Sequence, residues 1–452
     1  MDLEEILEAG LRDGGAAIVL GSKSTVVNFR LANNTVTTNG REASTSAGVI
    51  ALEQDRVGAR SADVTERSQV VSLAGDARGV AVRSPEAPDA MPLLSPEEAA
   101  SDSEGGDGSA EAQPQDLEPI LGPVRDILER SRQDGLRCFG YAQASATQER
   151  LGTRTGVRLE GHRQAASLTI TLKTPDFKRS VWTGSSGRRL AELDAAALYR
   201  AAAERLAWTE RSVELAAGHY QVILEPSATS DLILRLMWEM HARGADEGRT
   251  VFAGKSGSRV GETMYASQVS LDSDPSDPSM TVPGFVRAFG SSEYNSVFDN
   301  GLAVPPTVWV DNGVQQELIC PRRWARDHGH PVRPDVDNLR MRGSKATLAE
   351  MIASTDRALL VTSLWYIRDV DPAALLLTGL TRDGVFLIEH GEVVGAVNNF
   401  RFNESPVGVL NRTVELGQSQ LALSREVGDA VFVRAPPIRV ENFFMSSVSD
   451  AI

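Results

Sequence analysis

The feature that most narrows the fold lies in the second half of the chain: short alternating runs joined by turn dipeptides. Val308-Trp-Val-Asp-Asn-Gly-Val sets Asp311-Asn-Gly between two extended runs. Val385-Phe-Leu-Ile-Glu-His-Gly-Glu-Val-Val-Gly repeats the arrangement with His390-Gly391 at the turn. Residues that accept positive φ, flanked by alternating apolar side chains, close a tight hairpin. From Ser270 onward such runs dominate, and Thr347 to Ser354 reads as one short helix. This half is therefore expected to be mostly antiparallel β.

The first half mixes both periods. Leu3, Ile6, Leu7 and Leu11 recur at helical spacing over residues 2–12. Ala16 to Leu20, the alternating Val26 to Leu31, Ala47 to Leu52 and Val70 to Leu73 read as strands, with turn chemistry at Thr35 to Asn39. A helix follows over about 117–134, strands at Arg137 to Ala142 and Ser167 to Leu172, and an alanine-rich helix at Asp194 to Ala207. Ala216-Ala-Gly-His-Tyr leads into Gln221-Val-Ile-Leu-Glu, stopped by Pro226. A further helix is expected at 228–243, with Ser230 or Asp231 as its N-cap. The fold class is α+β: an N-terminal domain at 1–215 and a larger β-rich domain with a few helices at 216–452.

Residues 95–116 differ from their surroundings. They hold seven acids, no base, no aromatic and no β-branched residue. Such a stretch cannot bury enough apolar surface to offset its ordering entropy and reads as a disordered acidic loop.

Composition excludes several classes. With 46 Lys+Arg against 61 Asp+Glu the chain is acidic, which argues against broad binding to nucleic acid or anionic membrane. The two cysteines, Cys138 and Cys320, cannot build a disulfide framework or a four-thiolate zinc site. The N-terminus is acidic where a signal peptide would be basic, and no apolar run approaches the length of a membrane span. A soluble cytoplasmic protein with reduced thiols is the expectation.

Few residue constellations suggest chemistry. Gly254-Lys255-Ser256-Gly257 contains Gly-Lys-Ser, but Arg249 stands where a phosphate loop needs its first glycine. His328 and His330, in Arg326-Asp-His-Gly-His-Pro, could ligate a metal, although a polar Gly- and Pro-rich loop more often leaves such a pair solvated. Glu239 and His241 stand two apart on the helix expected at 228–243, so they face different directions.

Several strings carry a family resemblance. They are Tyr220-Gln-Val-Ile-Leu-Glu-Pro with the helix after it, Arg249-Thr-Val-Phe-Ala-Gly-Lys-Ser-Gly, Leu271-Asp-Ser-Asp-Pro and Pro306-Thr-Val-Trp-Val-Asp-Asn-Gly. Asn338 to Ile352, Leu359-Leu-Val-Thr-Ser-Leu, Asp383 to Val393 and Ile438-Arg-Val-Glu-Asn-Phe continue them, with Tyr141 to Arg150 in the first half. In this order they make the chain resemble the TldD/PmbA (TldE) metalloprotease family. In the catalytic TldD type, the helix after the first strand of the C-terminal domain carries His-Glu-x-x-x-His, and a cysteine follows later. Two imidazoles hold zinc and the carboxylate activates water.

Here Leu234, Arg235 and Leu236 stand about where ligand and base would be, and no cysteine follows Cys320. The resemblance therefore implies a metal-free TldE-like subunit. It would pair with a TldD-like partner that carries the zinc and His-Glu-x-x-x-His, and the two would enclose a narrow channel for unfolded or modified peptides. Glu239 and His241 are the candidate channel residues. The substrate would be peptide for degradation, or a natural-product precursor undergoing maturation or leader removal. The competing readings are a stand-alone peptidase, with a relocated site at His328, His330 and Cys320 or at Glu239 and His241, and a peptide-binding homodimer.

Overall fold

A computed structural model describes residues 1–101, 116, 118–255 and 257–449. Most of the acidic stretch at 95–116 lies outside them. Its first residues form a turn in which the Ser95 N–H donates to the Glu98 carboxylate, and the Ala100 N–H then donates to Gly301 O.

The first half builds one antiparallel sheet. Helix α1 (Leu3–Glu8) leads to β1 (Ile18–Ala32), β2 (Thr35–Glu53) and β3 (Arg56–Asp63), then α2 (Arg67–Arg83) and α3 (Glu118–Gln133). Next come β4 (Arg137–Thr153), β5 (Arg158–Lys173), β6 (Ser180–Gly187) and α4 (Ala195–Trp208). The sheet order is β3-β2-β1-β4-β5-β6, every pair antiparallel.

Two expectations fail here. The first turn lies at Asn33-Asn34, both with φ > 0, and Thr35 to Asn39 belongs to β2. Asparagine tolerates that left-handed backbone, which the β-branched Thr35 and Val36 would resist. Val70 to Leu73 is part of α2, not a strand. Val70, Ala74, Ala77 and Ala81 recur at helical spacing and are buried, a period that four residues alone cannot display.

All four helices lie on one face of this sheet. α1 and α2 cover Val19, Ala47, Val49 and Ala51, while α3 and α4 cover Val27, Phe29, Leu168 and Ile170. On the other face, Ile18, Ile50, Leu151 and Leu159 meet Phe285, Val297 and Phe298 from the second half.

The second half begins with β7 (Ser212–Val213), β8 (Gly218–Leu224), α5 (Pro226–Glu239) and α6 (Ala242–Asp246). A small hairpin pairs β9 (Ala253–Gly254) with β10 (Gly257–Ser258), so Gly254 of the Gly-Lys-Ser stretch is a strand residue; Ser256 lies outside the described residues. Then follow β11 (Leu271–Ser273), β12 (Thr307–Asp311), β13 (Val314–Gln315), α7 (Arg322–His328), β14 (Asn338–Met341) and α8 (Leu348–Ala353). The chain continues with β15 (Arg357–Val361), β16 (Leu364–Asp371), β17 (Leu376–Thr381), β18 (Val385–Glu389), β19 (Glu392–Val397) and β20 (Phe400–Glu404). It finishes with α9 (Pro406–Asn411), β21 (Thr413–Leu416), β22 (Gln420–Ser424), β23 (Gly428–Ala435) and β24 (Ile438–Val448).

These strands form a six-stranded sheet, β13-β12-β11-β14-β23-β22, and a larger one, β16-β17-β20-β24-β8-β15-β18-β19-β7 with β21 on β24. Both hairpins read from the sequence close as expected, with positive φ at Asn312-Gly313 and at His390-Gly391. The fold is α+β with a strand-rich second half. Helix α4 bridges the halves: Trp208 packs edge-on against Phe386 at 5.0 Å.

Candidate functional site

Helix α5 is where the sequence looks for chemistry, and it is almost wholly buried. Pro226 occupies its first turn, which suits a residue without an N–H, and Glu225 precedes it as N-cap. The expected start at 228 is thus two residues late, and neither Ser230 nor Asp231 caps it. Both lie inside the helix and are buried. Asp231 Oδ1 accepts from Ser424 Oγ (2.5 Å) and from the Glu426 N–H (3.3 Å), and its Oδ2 has no hydrogen-bond partner among the described residues. Burial pushes this carboxyl up to about 7.

Leu234 and Leu236 are embedded in the apolar core. Arg235 between them turns outward: Nη2 donates to Ile367 O (3.2 Å), lies 3.9 Å from Glu426 Oε2, and its guanidinium stands 5.0 Å from the Trp238 ring centre. None of the three offers a lone pair to a cation. The metal implied by the family therefore does not fit this helix.

The helix ends earlier than the sequence suggests. Met240 leaves helical geometry (ψ 59°), and His241 caps α6. Glu239 and His241 therefore do not share a helix, as the sequence reading had it. The Gly244 N–H donates to His241 Nδ1 (3.1 Å), so that nitrogen keeps its lone pair and the proton sits on Nε2, facing Glu293 Oε2 at 3.2 Å. Burial lowers the His241 pKa, which favours this neutral ring.

The neighbouring surface is acidic and aromatic. Burial first, then the charges of Asp369 and Glu293, raises the Glu239 carboxyl, and no hydrogen bond or ion pair reaches it among the described residues. Tyr294 stands edge-on to His241 at 5.4 Å, and Trp238 and Tyr294 are each 38% exposed. The structure thus sets Glu239 in one patch with Glu293 and Tyr294, which arrive from a loop that carries no motif, while His241, a candidate channel residue, is itself buried at 3% exposure.

Gly244 is what lets the imidazole sit there. A Cβ at this position would lie 2.4 Å from His241 Cε1 and 2.6 Å from Thr250 Cγ2. Gly244→Ala should lower unfolding stability by about 1–3 kcal/mol and shift the His241 ring resonances, read by urea denaturation and NMR.

The other candidates are engaged elsewhere. His330 Nε2 bonds Asp246 Oδ2 (2.7 Å), which also accepts from Trp324 Nε1 (2.8 Å). His328 stacks on Trp324 at 3.7 Å. Cys320 is buried, and desolvation pushes its thiol up to about 12, away from ligand or nucleophile character. No group of three metal-ligating side chains exists among the described residues.

A family profile described as the PmbA/TldA metallopeptidase C-terminal domain matches residues 217–447. The chain belongs to the PmbA/TldD family. Solved relatives share the whole PmbA/TldD architecture. TldE from Thermococcus kodakarensis superposes with a TM-score of 0.81 at 16% identity, covering 98% of this chain and 99% of that one. A candidate modulator of DNA gyrase from Bacteroides thetaiotaomicron gives 0.78 at 14% identity over 99% and 98%. Another from Thermotoga maritima gives 0.75 at 15% over 98% and 99%. No curated protein sequence matches the chain. Among the described residues no helix of this PmbA/TldD chain is long and apolar enough to cross a membrane.

Proposed function

We propose that this chain is the metal-free, TldE-like subunit of a two-chain peptidase. It would pair with a TldD-like subunit that supplies zinc and His-Glu-x-x-x-His, and help form a narrow channel that grips unfolded peptides. The observation that carries this reading is α5 itself. Where the family's catalytic type needs two imidazoles and a carboxylate, Leu234 and Leu236 fill the core and Arg235 pairs with main chain and Glu426. Counting on from Leu234 places Glu239 at the second histidine position, and its carboxylate stands on the surface patch beside Glu293. A channel of this kind holds the peptide through its backbone, by strand addition, and so accepts many sequences. Degradation of peptides and maturation of peptide natural products both suit such a grip, and cytoplasmic residence fits both.

The test is to purify the chain alone and co-expressed with a TldD-like partner, then measure zinc and peptide hydrolysis. The lone chain should hold no stoichiometric zinc and show no turnover, and the co-purified pair should show both. Zinc and turnover from the lone chain would overturn the proposal in favour of a stand-alone peptidase. Failure to co-purify, with a homodimer in solution, would point to a peptide-binding protein. In the complex, Glu239→Gln and His241→Ala should leave zinc content unchanged and alter peptide KM only a few-fold.

A further inference from the structure

A small pocket of about 80 Å³ opens beside the Glu239 patch. Phe285, Val304 and Val332 give it apolar wall, and Pro283, Pro321 and Pro334 fix the backbone of the loops around it. Whole small molecules need several hundred Å³, and one water takes about 30 Å³ of liquid. The pocket therefore has room for about three water-sized groups, which is part of one side chain.

Three carboxylates line it, and they are not equivalent. Asp299 accepts from the Arg322 side chain (2.8 Å) and from the Arg322 N–H (3.0 Å). Asp337 pairs with Arg287, which also holds Glu149. Asp335 has no such partner. Among the described residues no ion pair reaches it, and its hydrogen bond comes from the N–H of its own neighbour Val336 (2.9 Å). Water still reaches this carboxyl, yet the walls around it, and then the Asp337 charge, push it up to about 7. An arriving cation would stabilise its charged form.

Tyr294 joins the pocket to the patch. It lines the one and stands edge-on to His241 in the other. Burial first, then the charges of Glu239, Glu293 and Asp335, raises its hydroxyl, so all three carboxylates lie within electrostatic reach of one ring. Glu293 is held by Arg249. Arg249 and Arg235 act on Glu239 only from farther off and do not cancel the rise in its pKa. Glu239 and Asp335 are thus the two carboxylates here that no cation pairs among the described residues. Two such groups, a partly exposed aromatic ring and a narrow hole with apolar wall suit a cation carried on an aliphatic stem. The carboxylates and the ring draw the charge, and the wall covers the methylenes.

We propose that this pocket and patch form a subsite for one basic side chain, lysine or arginine, of a bound peptide, with Asp335 and Glu239 as its charge partners. The proposal rests on the reading of this chain as a peptide-gripping subunit, and it adds a side-chain preference to a grip made through the backbone.

The test uses blocked alanine pentapeptides with lysine, arginine, glutamine or glutamate at the centre. Binding is read by calorimetry on the full chain at low and high salt, and relative kcat/KM on the chain co-purified with a TldD-like partner. The lysine or arginine peptide should be favoured over the glutamine peptide by at least about tenfold, the glutamate peptide should be the poorest, and salt should narrow the gap. Asp335→Asn should cut the basic preference to about threefold or less, and Asp335→Lys should turn it into a preference for glutamate. Glutamine accepted as well as lysine and arginine would overturn the subsite and leave the grip standing. A basic preference untouched in Asp335→Asn would overturn its placement in this pocket. If the chain binds none of the peptides and the pair cuts none, the grip itself fails and the subsite with it.

Discussion

Replacing Arg205 with Met is expected to destabilise the chain by about 3–5 kcal/mol, more than a surface charge deletion could. Arg205 lies on α4, and its Nη2 stands 2.6 Å from Oε2 of Glu225, the residue that opens α5; Nη1 donates to Trp182 O at 3.3 Å. The side chains are 14% and 9% exposed. Among the described residues Glu225 Oε1 has no hydrogen-bond partner, so there this carboxylate depends on one guanidinium contact. Burial raises its pKa and Arg205 opposes that rise. Without the guanidinium, Glu225 must stay charged in an apolar site or take up a proton. The deficit should therefore be larger near pH 8 than near pH 5, where protonation relieves it. Adding Glu225→Gln should recover most of the loss, because breaking a buried pair is worse than removing it. Guanidinium denaturation of the two variants at both pH values decides this. A single variant within about 1 kcal/mol of the parent would show that the pair does not tie the halves together.

What the sequence disclosed follows from where each signal resides. Asn312-Gly313 and His390-Gly391 were legible because a turn's backbone demand is local. The α5–α6 break was not, since no Gly or Pro marks Met240 and the new helix begins on His241, an unusual cap satisfied by the Gly244 N–H. Val70 to Leu73 misled because a short apolar run carries no period. The lack of zinc ligands could be read from Leu234, Arg235 and Leu236 alone, because absence in a spaced pattern is a sequence property. What replaces them could not: Ser424 and Glu426 reach α5, and Glu293 reaches His241 beyond its end, from distant parts of the chain, and only the fold brings them there.

The same geometry makes Asp231→Asn a stabilising change at alkaline pH. Its corner of α5 is stitched to residues 424–426. Asp231 Oδ1 takes the Ser424 hydroxyl and the Glu426 N–H, and the Glu426 carboxylate takes the main-chain N–H of Tyr366 (2.5 Å) and of Ile367 (3.3 Å). Asparagine keeps the accepting oxygen and removes a buried charge whose second oxygen has no hydrogen-bond partner among the described residues. The folded carboxyl sits at about 7 against an ordinary 3.8. A raised carboxyl means that the folded state holds the proton after the unfolded state has released it. Stability is then full below the unfolded value and falls as pH rises towards the folded one, by about 4 kcal/mol over the whole range. About 2 kcal/mol of this should be lost between roughly pH 5.5 and 8.5. The Asn variant should lack that slope and be the more stable protein at the alkaline end, measured by urea unfolding across pH. If it keeps the parent's pH dependence, Asp231 is already ionised at neutral pH. The Ser424 hydroxyl and the Glu426 N–H would then suffice to hold a full charge in the helix where the family's catalytic type holds its metal.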